Sequence, residues 1–279
     1  NAFNTAVGYA AGENVTTGTF NTLIGGSAGD ALTTGVRNVA IGKGALSAED
    51  TGSYNVAIGE SALTDQNVDN AYNVAVGYHS GLSVTTGTLN TIVGGEAGDA
   101  LTTGSYNIAI GKSALSTEDT GGASVAIGHA ALFSQNYDGL AYNVAIGHNS
   151  GQLVTTGTSN TLLGALSGDA LTTGNNNVAL GYGSLSADVA GSDNVAIGLQ
   201  AMSATDNARA NVAIGFNALQ SLDYDSLTYS HNIGIGFDAG KYITTGTLNT
   251  IIGGQAGDAL TTGAANTLTG YKAGSAITS

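Results

Sequence analysis

The sequence predicts an all-β fold, a parallel β-solenoid (a β-roll or β-helix) of about sixteen 17-residue coils. Three observations carry this. A five-residue word, Asn-[Val/Thr/Ile]-x-[Ile/Val/Leu]-Gly, recurs sixteen times along the 279 residues, with one departure at its first position (Ser124) and one at its fourth (Thr269). Glycine is abundant (44 residues) while proline is absent, as expected where almost every backbone N–H is used between stacked coils. Charged residues are only 9%, against about 25% in ordinary domains, so little of the chain is patterned as a free polar surface.

The word starts at Asn4, Asn21, Asn38, Asn55, Asn73, Asn90, Asn107, Ser124, Asn143, Asn160, Asn177, Asn194, Asn211, Asn232, Asn249 and Asn266. Twelve of the fifteen steps are 17 residues; the others are 18, 19 and 21. Ser124 is the one replacement of Asn, and Ala or Ser always follows seven residues after the first position. A longer period lies above this one. Gly-Asp-Ala-Leu-Thr-Thr-Gly begins at Gly29, Gly98, Gly168 and Gly257, which divides the chain into long units of about 4–72, 73–142, 143–231 and 232–279. Residues 1–279 are thus read as one repetitive solenoid segment belonging to a longer fibre.

Within a coil, Asn38-Val39-Ala40-Ile41-Gly42 and Asn55-Val56-Ala57-Ile58-Gly59 show the logic. Val39 and Ile41, like Val56 and Ile58, are β-branched and two apart, so they share one strand face, expected to be the interior. Gly42 and Gly59 end the strands, and Asn38 and Asn55 extend an amide ladder along the stack. A three-residue strand cannot bury a face alone, whereas stacked copies cover one another. The face opposite Val39 and Ile41 carries Ala in most coils but Leu23, Ile92, Leu162 and Ile251 in others. These four are read as interchain contacts, because a small-residue face with periodic large apolar residues suits packing against another copy.

Cysteine is absent, which excludes disulfide scaffolds and thiol chemistry. The net charge of −14 excludes a polyanion partner, so no nucleic acid is expected, and no apolar run is long enough for this segment to insert in a membrane. The histidines His79, His129, His148 and His231 form no ligand-spaced pair, and no carboxylate pair or Ser-His-Asp set holds a unique position. No catalytic residue, metal site or cofactor is expected, and the chain is read as not an enzyme. Threonines such as Thr16, Thr17, Thr33 and Thr34 fall in adjacent coils, but Glu49 and Asp50 interrupt that row. The candidate contact loops are the insertions of the three lengthened coils, with Asp65, Asp69, Tyr137, Asp138, Asp223, Tyr224 and Asp225. Aromatics in register, including Phe3, Phe20, Tyr54 and Tyr72, offer either strand-end packing or a surface for stacking sugars.

The words at Asn38 and Asn55, each followed by Ala seven residues on, resemble the head repeats of trimeric autotransporter adhesins, the YadA-like head. Asn4-Thr5-Ala6-Val7-Gly8-Tyr9 and the Thr-Thr-Gly spacers are similar to bacteriophage tail-fibre shafts. The resemblance spans essentially the whole chain. It implies a homotrimer of parallel left-handed β-rolls or β-helices that serves attachment outside the cell. The longer coil and the Thr-Thr-Gly spacers favour the shaft of a virion tail fibre. The alternative is a bacterial surface adhesin head that binds host matrix or surfaces. A cell-surface receptor or glycan is the expected further partner.

Overall fold

The computed structural model describes residues 2–279; Asn1 lies outside them. The chain forms two compact units, Asn1–Tyr142 and Asn143–Ser279. In the first unit, β1 (Thr5–Val7), β2 (Thr22–Ile24), β3 (Val39–Ile41), β4 (Val56–Ile58), β5 (Val74–Val76), β6 (Thr91–Val93), β7 (Ile108–Ile110) and β8 (Val125–Ile127) stack in sequence order. Each pairs in parallel with the next in strict register, as in Val39↔Val56, Ala40↔Ala57 and Ile41↔Ile58. One coil thus adds one strand, and the chain is an all-β parallel solenoid with no helix among the described residues.

The second unit repeats the plan with β9 (Val144–Ile146), β10 (Thr161–Leu163), β11 (Val178–Leu180), β12 (Val195–Ile197), β13 (Asp206–Arg209), β14 (Val212–Ile214), β15 (Asp223–Tyr229), β16 (Ile233–Ile235), β17 (Thr250–Ile252) and β18 (Thr267–Thr269). Eight of these form the main ladder. The short β13 and the longer β15 make a separate parallel pair, whose register breaks between Asp206 and Ala208. That break absorbs the extra residues of the coil at 211–231, in the manner of a bulge.

The Asn column determines which way each strand faces. Asn38 Nδ2 donates to the Gly52 carbonyl of its own coil at 2.8 Å, and Asn38 Oδ1 accepts the N–H of Asn55 at 2.9 Å. The same pair of bonds recurs at Asn21, Asn90 and Asn107. One amide therefore staples its coil across the interior and joins it to the next coil. Asn must point inward to do this, and the two-residue period of a strand then sends the second-next residue inward and its neighbours outward.

This reverses the expected faces. Val39, Ile41, Val56 and Ile58 lie on the outer side of the sheet and are half-buried, while Ala40 and Ala57 are fully buried. Leu23, Ile92, Leu162 and Ile251 are not interchain residues. They fill the interior of their own chain, at 0–1% exposure. Their size is balanced six residues later. Where the inward strand residue is Leu23, Ile92, Leu162 or Ile251, the partner position is Gly29, Gly98, Gly168 or Gly257; where it is Ala40, Ala57 or Ala109, the partner is the buried Leu46, Leu63 or Leu115. A Cβ added at Gly29 would stand 2.9 Å from Leu23 Cδ2. In these coils one large side chain is exchanged between two sites; the coils with Ala6/Gly12, Ala75/Gly81, Ala145/Gly151 and Gly234/Gly240 carry none, and neighbours fill the space, as a Cβ at Gly81 would stand 2.9 Å from Ile92 Cδ1 and 3.0 Å from Leu63 Cδ2.

Glycine at the strand end is required twice over. Gly25 has φ +135°, and a Cβ there would meet the Gly42 carbonyl oxygen of the next coil at 2.5 Å. Stacked coils leave no room for any side chain at this point.

Candidate interaction surface

The outward strand positions form an apolar face on each unit. In all sixteen words they hold only Thr, Val, Ile or Leu, with no charge. Several stay well exposed, among them Ile24 at 36% and Leu180 at 42%. A β-sheet that buries one face usually turns a polar face outward, so this one is an unpartnered apolar surface.

One margin of that face is an aromatic column built from the residue preceding each word. Phe3, Phe20, Arg37, Tyr54, Tyr72 and Tyr106 all adopt positive φ, between 48° and 66°, which turns their side chains out of the coil. Phe3 stacks on Phe20 with centroids 5.3 Å apart, and Tyr54 on Tyr72 at 5.0 Å. The Arg37 guanidinium lies between, 5.6 Å from the Phe20 and Tyr54 centroids, and its Nη1 donates to Tyr54 Oη at 3.1 Å. The Phe20 ring lies between Phe3 and Arg37 and the Tyr54 ring between Arg37 and Tyr72, so their faces are not open to a sugar, whereas Phe3 and Tyr72 are stacked on one side only.

The insertion residues separate into two groups. Asp65, Asp69, Tyr137, Asp138, Asp223 and Asp225 are exposed. Asp69 accepts from Thr51 Oγ1 at 2.6 Å and Asp138 from Thr120 Oγ1 at 3.1 Å, so both insertions are tied to the coil before them. Tyr224 is not a surface residue. It is 6% exposed, and its hydroxyl donates to the Gly246 carbonyl at 2.8 Å while receiving Asn232 Nδ2 at 3.4 Å. Burial raises the Tyr224 hydroxyl above the usual phenol range. The insertion in that coil is long enough to fold one ring back inside.

The sequence reading missed three interior carboxylates. Glu49, Glu118 and Asp188 occupy the same coil position, where most coils carry Leu, Val or Ile, and all three are fully buried. Glu49 Oε1 accepts from Gly52 N at 2.6 Å, and Oε2 from Gln66 Nε2 at 3.0 Å. Glu118 repeats this with Gly121 N at 2.8 Å and Gln135 Nε2 at 2.9 Å. Gln66 in turn accepts from Asn73 Nδ2 at 2.8 Å. Burial raises the Glu49 carboxyl above the ordinary range, against the pull of these donors. The recurrence of Glu followed 17 residues later by Gln, at Glu49/Gln66 and Glu118/Gln135, was the available signal.

Asp99 and Asp169, of the repeated Gly-Asp-Ala string, are also raised, chiefly by burial, with their own and the following N–H opposing the shift. The hydroxyls of Thr16 and Thr33 donate to the carbonyls of Thr33 and Asp50 in the next coil, so that row serves stacking. Among the described residues, no three His, Cys, Asp or Glu converge as a metal site, and no helix is long and apolar enough to cross a membrane. Compared with protein-family models, curated proteins and solved structures, the chain matches none.

Proposed function

We propose that this chain is a structural attachment fibre: the stiff shaft of a virion tail fibre, outside the cell, that associates as a parallel homotrimer and mediates or presents adhesion to a host surface. One observation carries the reading, namely the charge-free outward face of Val, Ile, Leu and Thr repeated on the coils of each unit. Water exposure of that face costs about 25 cal/mol per Å² of apolar area, and a second copy presents the same surface in the same register. The aromatic column then lies at the seam between chains. Identical copies along a shaft turn weak individual contacts into firm attachment.

Mass measurement of the full chain at micromolar concentration tests the assembly. Three times the 27.4 kDa chain mass is expected. The double variant Val56→Lys and Ile58→Lys keeps the coil interior intact and is expected to shift the protein toward monomer while its far-ultraviolet spectrum is retained. A monomeric parent chain overturns the trimer. Adsorption of labelled trimer to whole cells tests the function: binding to bacterial envelopes supports the tail fibre, binding only to animal cells or matrix supports the adhesin head, and binding to neither overturns attachment.

A further inference from the structure

Three coils bury a carboxylate at one position, but only two of them supply it with an amide partner. In the first unit, Gln66 and Gln135 stand one coil below Glu49 and Glu118 and satisfy their second oxygens, aided by the N–H groups of Val68 at 3.4 Å and Tyr137 at 3.3 Å. In the second unit the equivalent acid is Asp188, one methylene shorter. The residue beneath it is Thr205, whose hydroxyl donates to the Met202 carbonyl at 2.7 Å and is not available to the acid. Asp188 Oδ1 accepts from Gly191 N at 2.7 Å, while Oδ2 is buried with no partner.

The surroundings oppose ionisation. Asp188 is 0% exposed, the coil above contributes the apolar Leu171 at this position, and the coil below brings Asp206, whose own buried Oδ1 is also unpartnered. Arg209, the cation on that lower coil, has its guanidinium 5.5 Å from the Tyr229 ring centroid, and no ion pair joins it to Asp188. The backbone N–H groups of Ala190 and Asn207 favour the charge without hydrogen-bond geometry to Oδ2. A protonated carboxyl fits here; a carboxylate leaves one charged oxygen buried and unpaired.

We propose that Asp188 is a proton-operated latch in the second unit: uncharged, it seats coil 177–193 on coil 194–210, and once ionised it loosens that stack. Burial, reinforced by the Asp206 charge, raises the Asp188 carboxyl to about 7, which puts the transition near neutrality. The folded group holds its proton more tightly than the unfolded one, so closure is favoured at low pH and weakens as pH rises from about 4 to about 7, with little further change above.

Hydrogen exchange on the full chain tests this at amides whose bonds cross the junction: Leu185 to the Ala201 carbonyl, Gln200 to Tyr182 and Ala210 to Ser192. After correction for intrinsic rates, protection there is expected to fall at least about tenfold between pH 5 and pH 8.5. Asp188→Asn, neutral and nearly isosteric, is expected to abolish that difference. Asp206→Asn should reduce it without removing it. Asp188→Glu with Thr205→Gln rebuilds the pair of the first unit and should raise protection at pH 8.5. Equal protection at both pH values in the parent chain, or an undiminished difference in Asp188→Asn, would overturn the proposal.

Discussion

At the scale of single residues, the buried amide at the head of most words ties more elements together than any other side chain. Asn38 joins strand, opposite edge and next coil through one side chain. The lengthened coils show what happens when part of that geometry is lost. Fourteen residues after Asn55 stands Asp69, not glycine, and Asn55 Nδ2 has no partner. Asn211 turns its Nδ2 to Asn194 Oδ1 and the Arg209 carbonyl, both at 3.1 Å. Ser124, the single exception to Asn, heads the third such coil and bonds with Gln135 at 3.0 Å. All three lengthened coils thus lack the staple. Asn38→Ser is expected to cost about 2–4 kcal/mol, because it strands the buried Gly52 carbonyl as well as the Asn55 N–H, whereas Asn55→Ser should cost less, about 1–2 kcal/mol, because only the Asn73 N–H bond to Asn55 Oδ1 is lost. Urea unfolding of the full chain, followed as a first-unit transition, compares them. Tyr224→Ala should cost about 3–5 kcal/mol by opening a cavity, with exposed Tyr137→Ala near neutral for stability. Loss of attachment by Tyr137→Ala with stability unchanged would identify a contact residue, and thermal melting separates the two effects.

At the scale of elements, a coil is a three-residue strand, and twelve of the sixteen place one large side chain at either of two interior sites. Leu23→Ala removes a fully buried side chain and is expected to destabilise the first unit by about 2–5 kcal/mol. Adding Gly29→Leu converts this coil to the type of the next, where Leu46 already holds φ 54° at the equivalent site. The double variant should recover at least about half of the loss in denaturant midpoint. Recovery stays partial because Leu23 also lies over Gly12 of the coil above, whose added Cβ would sit 2.6 Å from Leu23 Cδ1. The carboxylate–amide pairs act at the same scale. Gln66→Leu leaves the Glu49 carboxylate with its Gly52 bond and only the longer Val68 contact, and an expected loss of about 3–5 kcal/mol reflects a buried charge missing its main partner. Because burial raises the Glu49 carboxyl, the loss should be smaller at pH 4 than at pH 8.

At the scale of the whole molecule, the period, the parallel stacking and the need for glycine were legible in the sequence. They are local properties: a 17-residue recurrence of Asn, β-branched residues and Gly permits little else once proline is absent. The sequence also marked the irregular coils through their spacing. What it left open was direction. A strand alternates its faces, but alternation alone does not say which face is inside. Val39 and Ile41 look like core residues by hydrophobicity, and Ala40 like a neighbour-facing one. The tertiary structure decided the reverse, because Asn38 must reach Gly52 across the interior, and the thin coil has room beside Ala40 for Leu46. The same decision placed Leu23, Ile92, Leu162 and Ile251 inside, turned the β-branched columns outward, and drew Tyr224 and three acids into the core. The sequence by itself determined the coil and its repetition; only stacking in three dimensions assigned the faces, since a shared hydrogen bond across the coil fixes orientation where hydrophobicity does not.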